Sequence, residues 1–238
     1  MRTRSPIITM IENGLYRLIA WLSPTFPVGG FSYSHALEAA CEAGIVRDRV
    51  SLLGYVTVAL EQGAGRSDGM LFAAIHRAVV ADDQPAFVWA AERAAAMRGS
   101  AELALECTAQ GTAFITTVAA TWRDLDIQRW RDVLAAHDLV AAYPVAVATC
   151  AATCGVGLRP ALIAYLHAFS SALVTAGVKL IPLGQTDGQR VVAALESIVE
   201  RAADAAMQRS LDDLGAAAPM IDLLSMRHET QYTRLFRS

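Results

Sequence analysis

The sequence predicts an all-α protein, a single domain built as a bundle of about ten helices. Apolar residues recur at intervals of three and four along most of the chain, which is the helical period. We find no segment with the alternation of apolar and polar residues that a half-buried strand requires. Aspartates, prolines and glycines divide the pattern into helix-length segments, because these residues favour helix ends.

The chain of 238 residues is long enough for one large domain or two small ones. No linker, internal repeat or low-complexity block interrupts the helical pattern, so we expect one domain. The predicted division has a flexible N-terminal arm, residues 1–12, a helical domain, residues 13–215, and a C-terminal tail, residues 216–238. The tail is rich in Met, Arg and aromatic residues, which are enriched at protein interfaces. A terminal helix packed on its own domain explains the same composition, and both interpretations stay open.

The first three helices are placed by the signals at their ends. Leu15–Leu22 is the first apolar segment and predicts a short helix. Ser34–Ala43 predicts a second helix, which Gly44 ends. Asp48 predicts the N-cap of a third helix that continues to Gln62, just before a glycine.

Four further helices follow in the middle of the chain. Asp68–Val80 has the helical period. Asp83 predicts the N-cap of the next helix, with Pro85 in the first turn, where a missing N–H costs little. Ala101–Ala120 and Ile127–His137 continue the pattern.

The remaining helices begin at prolines or at a capping signal. Pro144–Thr153 and Pro160–Lys179 each start with a proline, and Thr186–Gln189 has the spacing of a capping box. The helix that follows is amphipathic, because its apolar side chains recur on one face. That face consists of Val191, Leu195, Ile198, Val199 and Ala202.

A membrane protein is the main structural alternative, because 54% of the residues are hydrophobic and the mean hydropathy is +0.35. Leu139–Leu158 carries no charge and is long enough to cross a bilayer, and Ala161–Val178 is nearly as apolar. We favour a soluble bundle, since the first segment is rich in small residues with weak insertion energy. His167 would also lie near the middle of the second span, and only Arg159 and Pro160 would separate the two spans.

Charge and cysteine content limit the classes of function. A net charge of −3 and a pI near 5.9 give no basic footprint for nucleic acid. The four cysteines lie in apolar helical segments, and we find no secretory signal. We therefore expect reduced thiols in a cytoplasmic protein.

The sequence contains no complete catalytic motif that we recognise. His228 and Glu229 resemble the start of a zincin signature, but Tyr232 occupies the position of the second histidine. Cys150 and Cys154 are four residues apart in a predicted helix, without the further Cys or His ligands that zinc sites bring nearby. We predict no catalytic residue, no metal ligand and no cofactor, and a Cys/His metalloenzyme stays the weaker alternative.

The segment Phe26–Tyr33 is a turn that contains three aromatic residues. Its prolines and glycines fix the backbone, which lowers the entropy cost of binding. Phe31 and Tyr33 are therefore candidate anchors for a partner. The alternative interpretation is that Phe26 and Phe31 pack against the protein's own helices and hold the turn in place.

Four stretches carry a resemblance to a known family. They are SPTFPVGGFSYSHALE (23–38), AAYPVAVATCAATCGV (141–156), KLIPLGQTDGQRV (179–191) and DLLSMRHETQYTRLFRS (222–238). In this order they resemble the urease accessory protein F family, UreF. One residue departs from the family pattern, since Ala36 stands where glycine is expected.

The resemblance implies an all-α homodimer without an active site of its own. Members of the family bind the accessory protein UreD (UreH), recruit the GTPase UreG to the urease apoprotein, and take part in nickel delivery. Lys179 is expected either to lie at the GTPase interface or to interact with the dipole of its own helix. The residues predicted to bind partners are Phe31, Tyr33, Ser34, Glu38, Lys179, Arg227, His228, Glu229, Tyr232, Arg234, Phe236 and Arg237.

Overall fold

A computed structural model describes residues 6–238 of the chain and the side chains from residue 14 onward. Within this part the structure has eleven α-helices and two 3₁₀ turns, and no strand, so the all-α prediction is confirmed. The helices are α1 Pro6–Trp21, α2 Leu37–Glu42, α3 Arg49–Glu61, α4 Ala64–Ala81, α5 Gln84–Ala96, α6 Ala101–Thr121, α7 Ile127–Ala136, α8 Tyr143–Thr153, α9 Leu158–Leu180, α10 Gln185–Gln208 and α11 Pro219–His228. The 3₁₀ turns are Gly30–Ser32 and Leu211–Asp213.

The boundaries predicted for the arm, the domain and the tail can be compared with the observed helices. Residues 1–5 of the arm lie outside the described residues, and the helix α1 begins at Pro6 rather than at Leu15. The boundary predicted at residue 215 falls between the second 3₁₀ turn and α11. The division into arm, domain and tail stays a prediction.

Several helix starts follow the predicted caps. The Asp48 side chain accepts a hydrogen bond from Ser51 N at 2.8 Å, and Asp83 accepts one from Ala86 N at 3.0 Å. Both aspartates satisfy backbone donors that a helix leaves free in its first turn. The two predicted N-caps are therefore confirmed.

Three other helix starts were predicted wrongly. α4 begins at Ala64 rather than at Asp68. The N-cap of α10 is Gly184 and has no side-chain hydrogen bond, so Thr186 lies inside the helix and forms no capping box. α2 begins at Leu37 rather than at Ser34, because His35 and Ala36 have φ angles of 53° and 64°. A left-handed backbone cannot continue a right-handed helix.

The centre of the bundle is formed by α4, α8 and α9. Residues Pro144–Ala152 of α8 are buried on every side, which explains why this segment has no polar face. α8 packs against α4, α6 and α9, while α9 also contacts α3 and α10. The core is therefore one continuous cluster that includes side chains from α1 to the tail.

The apolar segments considered as membrane spans belong to this core. Leu139–Leu158 does not form one long helix, since α8 covers only 11 of its residues. In the described part of the chain, α9 alone is long and apolar enough to cross a bilayer, with a mean hydropathy of 1.6 in its most apolar window. Half of that window is buried inside the bundle, as in the core helix of a helical domain.

Candidate functional site

The C-terminal tail folds back onto the bundle beside the aromatic turn. Its helix α11 packs against α2 and α6, and the last ten residues continue along the same side. A buried polar cluster forms where the tail meets these helices. We call this cluster the tail junction; it consists of Ser34, Glu38, Glu102, Glu106, His228 and Ser238.

Glu38 in α2 is the acceptor at the centre of the tail junction. Its Oε1 accepts a hydrogen bond from Leu235 N at 2.7 Å, and its Oε2 accepts one from Phe236 N at 2.9 Å. Oε2 also lies 3.1 Å from Nε2 of His228. Hydrogen bonds to a charged acceptor are stronger than neutral ones, so this carboxylate fixes the backbone of the tail.

His228 ends α11 and is fully buried. Its Nδ1 lies 2.7 Å from Oε2 of Glu102, while its Nε2 faces Glu38. Arg234 Nη1 lies 2.7 Å from the other oxygen of Glu102. The imidazole is therefore held between two carboxylates, one from α2 and one from α6.

A second group of bonds holds the end of the tail. Ser34 N donates to the main-chain oxygen of Ser238 at 2.9 Å, and the Ser34 hydroxyl donates to the same oxygen. Ser238 Oγ donates to Oε2 of Glu106 at 2.6 Å. Arg237 N donates to the carbonyl oxygen of Ser32 at 2.8 Å. These bonds join the aromatic turn directly to the tail.

The tail also completes the N-terminus of α6. Oε1 of Glu229 accepts hydrogen bonds from Ala101 N at 3.1 Å and from Glu102 N at 3.4 Å. Ser100, the N-cap of α6, lies with its hydroxyl 2.6 Å from that of Ser225. A carboxylate is favourable at a helix N-terminus because the free N–H groups and the helix dipole both attract it.

Lys179 reaches the same region from α9. Its Nζ lies 5.6 Å from the centroid of the Phe236 ring, within the range of a cation–π contact. Phe236 itself is buried in the core, while Lys179 is exposed. No pattern in the sequence predicts that these two residues meet.

The aromatic turn divides between core and surface. Phe26 packs against Phe114 and Trp122, with ring centroids 5.2 and 6.3 Å apart, so it fastens the turn to the bundle. Tyr33 is also buried, whereas 77% of Phe31 is exposed. Phe31 is therefore the aromatic residue of this turn that is available to a partner.

The residues predicted to bind partners fall into two sets. The buried set, which builds and supports the tail junction, is Tyr33, Ser34, Glu38, His228 and Phe236. The exposed set is Phe31, Lys179, Arg227, Glu229, Tyr232, Arg234 and Arg237. Partner binding stays a prediction for both sets; the exposed side chains are accessible for direct contact, whereas the buried side chains lie inside the fold.

Sequence reasoning missed the two glutamates of α6. Glu102 and Glu106 lie four residues apart on one helix face, a spacing visible in the sequence. Nothing in the sequence indicates that this face meets the tail.

The helices α6 and α11 and the tail also carry exposed apolar residues. They are Leu105, Met220, Leu223, Met226 and Leu235.

The metalloenzyme alternative gains no support from the side chains that the structure describes. Among them, no group of three or more His, Cys, Asp or Glu is placed to hold a metal ion. Cys150 and Cys154 are buried in and after α8. Burial raises the pKa of both thiols, and the neighbouring Cys154 raises that of Cys150 further. The metal ligand is the thiolate, so a metal ion would have to displace the proton of each of these thiols.

Comparison with known proteins identifies relatives over nearly the whole chain. The UreF family model matches residues 46–196. The chain is 49% identical over 234 residues to the urease accessory protein UreF of Granulibacter bethesdensis, covering 98% of both chains. It is 52% identical over 234 residues to that of Rhodopseudomonas palustris strain BisB5, covering 98% of this chain and 95% of the relative. These alignments include both the aromatic turn and the tail.

Fold and relatives together define a helical accessory protein. The chain belongs to the UreF family of urease accessory proteins. The resemblance inferred from the four sequence stretches is thereby confirmed.

Proposed function

We propose that the chain is a non-catalytic scaffold for urease maturation. Together with UreD (UreH) it recruits the GTPase UreG to the urease apoprotein, and it couples GTP hydrolysis to nickel delivery. It acts in the cytoplasm as a homodimer, without a cofactor of its own and without binding nucleic acid or membrane. Family membership supports the role in urease maturation.

The observation that carries the proposal is the joining of the aromatic turn to the tail. The bond between Arg237 N and the Ser32 carbonyl brings residues from the two ends of the sequence onto one surface. Phe31, the residue before Ser32, is 77% exposed. Tyr232 in the tail is fully exposed. Exposed aromatic residues fixed on a rigid support are typical anchors of protein interfaces.

The charges of this surface indicate the chemistry of the partner. Arg227, Arg237 and Lys179 are exposed, and Arg234 uses only Nη1 toward Glu102 and His228, with 39% of its side chain exposed. We expect a partner surface with carboxylates that face these cations and pockets for the aromatic residues. Complementary charges raise the rate and specificity of association.

The test uses substitutions that leave the tail junction intact. In the first variant, Arg227→Ala, Tyr232→Ala and Arg237→Ala are combined, all at exposed positions. We expect this variant to keep its helical circular dichroism, to lose co-purification with UreD or UreG, and to lose most urease activation. The matched control combines Arg47→Ala, Arg49→Ala and Val50→Ala, which are exposed near the start of α3.

We expect the control variant to co-purify with its partners and to activate urease like the unmodified chain. Normal activation by the first variant would refute the role of this surface. Loss of function in both variants would refute its specificity.

A further inference from the structure

Two adjacent residues between the aromatic turn and α2 have a left-handed backbone. His35 and Ala36 have φ angles of 53° and 64°, and they are 6% and 0% exposed. Neither is a glycine, so in each the Cβ lies close to the backbone, which lowers the population of this conformation by a factor of roughly 5 to 30. The factor is smaller for histidine, which enters the left-handed region more often than most residues.

The local sequence favours a different conformation. The segment Ser34–Ala43 is rich in alanine, leucine and glutamate, which are strong helix formers, and α2 nevertheless begins only at Leu37. With right-handed angles at His35 and Ala36, α2 would gain these two residues and Ser34, a preferred N-cap type, would precede them. The left-handed form is therefore imposed by contacts from other parts of the fold.

The tail holds one side of this segment. Ser34 N donates to the main-chain oxygen of Ser238 at 2.9 Å, and the Ser34 hydroxyl donates to the same oxygen. His35 N donates to Oγ of Ser238 at 3.4 Å. The Ser34 hydroxyl oxygen also accepts a hydrogen bond from Glu38 N at 3.2 Å, so one side chain joins the tail to the start of α2.

The bundle holds the other side of the segment. The Tyr55 hydroxyl, from α3, donates to the carbonyl oxygen of His35 at 2.8 Å. The ring of Phe169, from α9, packs edge-on against the His35 ring, with centroids 5.2 Å apart. A strained backbone persists only where its surroundings over-determine it. The tail is the weakest part of these surroundings, since residues 229–238 form no helix and only two of them are buried.

We propose that residues 34–36, which we call the hinge, have two states and that the tail selects between them. While the tail is docked, the hinge is left-handed. When the tail is released, His35 and Ala36 take right-handed angles and α2 begins at His35. Each helical residue turns the chain by about 100°, so the two states present the aromatic turn in different directions.

The consequence for partner binding rests on the proposed function, in which Phe31 and Tyr232 belong to one surface. Under that function, release of the tail would separate Tyr232 from Phe31 and would also turn Phe31 away. The hinge itself is a property of the free chain, so its two states are measured without any partner.

The first test releases the tail of the full chain by Phe236→Ala, which removes a buried anchor. Nuclear magnetic resonance reports φ at His35 and Ala36 through the coupling between the amide proton and Hα, and through the Cα and Cβ chemical shifts. We expect left-handed values in the unmodified chain. In Phe236→Ala we expect right-handed helical values, together with fast exchange of the Leu235 amide, which Glu38 binds in the docked tail.

Leu235→Ala is the matched control, because it truncates the neighbouring apolar side chain, which is 66% exposed. Its tail should stay docked and its hinge left-handed. Left-handed values in the released tail of Phe236→Ala would overturn the proposal, since Tyr55 and Phe169 would then hold the hinge without the tail. A helical hinge beside a docked tail in the control would overturn it as well.

The second test changes the strain and leaves the tail sequence intact. Ala36→Gly removes the Cβ at residue 36 and also weakens the helical alternative. We therefore expect the protection of the Leu235 and Phe236 amides against hydrogen exchange to rise by roughly two- to tenfold. Ala40→Gly is the matched control, because Ala40 is equally buried but lies inside α2; glycine there relieves no left-handed strain and should not raise protection.

Unchanged or lower protection in Ala36→Gly, or an equal rise in Ala40→Gly, would overturn the proposal. These two variants are compared only with the helical circular dichroism of the unmodified chain, so they test the hinge even if Phe236→Ala does not fold. Loss of co-purification with UreD or UreG would leave both measurements unaffected, so failure of the hinge and failure of the proposed function are distinguishable.

Discussion

Ala36 has a backbone conformation that L-residues adopt reluctantly. Its φ angle is 64°, in the left-handed region, and its side chain is fully buried. Glycine is the expected residue at such a position because it has no Cβ to clash with the backbone. The structure thus explains why glycine is expected there, and alanine is the smallest L-residue that can replace it.

Ala36→Gly is expected to change the free energy of unfolding by less than about 1 kcal/mol. Relief of the left-handed strain stabilises by about 1–2 kcal/mol, but loss of a buried methyl costs about 0.8 kcal/mol and the freer unfolded chain about 0.4–1 kcal/mol. Denaturant titration measures the net effect. Asp138→Gly is the control, because Asp138 has a φ of 54° but is exposed; it should stabilise by up to about 1 kcal/mol. A large loss of stability in Ala36→Gly would contradict this balance.

Glu38→Gln is expected to destabilise the docked tail by about 1.5–3 kcal/mol, the range for hydrogen bonds to a charged group. The amide has one acceptor oxygen, whereas the carboxylate accepts from Leu235 N, Phe236 N and His228 with two. Limited proteolysis should cleave the tail of the variant faster. Glu42→Gln, exposed at the end of the same helix, is the control. Equal cleavage rates in the two variants would show that the Glu38 charge does not hold the tail.

At the scale of helices, the sequence predicted most elements because each depends on nearby residues. The caps Asp48 and Asp83 act on donors three residues away, so their effect is readable locally. The errors concern the starts of α2, α4 and α10, which no side-chain cap marks. Helix α10 begins without a side-chain cap, and α4 begins at Ala64, so that Asp68 lies inside the helix and pairs with Arg98 at 2.8 Å.

Gly111→Ala is expected to destabilise the bundle by several kcal/mol, as overpacking with backbone shifts does. A Cβ at this position would lie 2.6 Å from Ala142 C and 2.7 Å from Tyr143 N, and backbone atoms cannot yield as a flexible side chain can. The helix α6 therefore approaches the start of α8 only because residue 111 has no side chain. The free energy of unfolding from denaturant titration measures the loss.

Gly54→Ala is the matched control, since Gly54 lies inside α3 with no atom within 4 Å of the added Cβ. Alanine there should stabilise by up to about 1 kcal/mol, the difference in helix propensity. Equal effects of the two substitutions would mean that the α6–α8 contact does not depend on Gly111.

At the scale of the whole molecule, the fold class was predictable and the site was predictable only in its parts. The stretches 23–38 and 222–238 were recognised in the sequence, but their contact was not. Glu38 and His228 are 190 residues apart, and Glu38 and Phe236 are 198 apart. No local pattern specifies which face of α2 meets the tail. For the same reason, the burial of Ser34, Glu38 and His228 could not be distinguished from exposure at a partner surface.

Under the proposed function, the route of nickel is also a question for the whole molecule, and the cysteines offer a direct test of it. A thiol binds a metal as thiolate, and burial raises the pKa of Cys150 well above its ordinary value, so this thiol stays protonated at neutral pH. Cys154 lies in the same helix region, and the described side chains provide no third ligand of a metal cluster. We therefore expect the combined variant Cys150→Ala and Cys154→Ala to activate urease nearly normally, with a loss of stability of a few kcal/mol at most from the cavities.

The measurement is the nickel content of urease matured with this variant, with Cys41→Ala as the control at a half-buried thiol whose pKa is raised to about 11. Both variants should deliver as much nickel as the unmodified chain, since neither removes an ionised ligand. A tight thiolate site would also hold nickel too strongly for a transfer step, because soft ligands bind such metals firmly. If the double variant, folded and still assembled with its partners, gave urease no more nickel than maturation without this chain, the two thiols would carry the metal and a scaffold role alone would be insufficient.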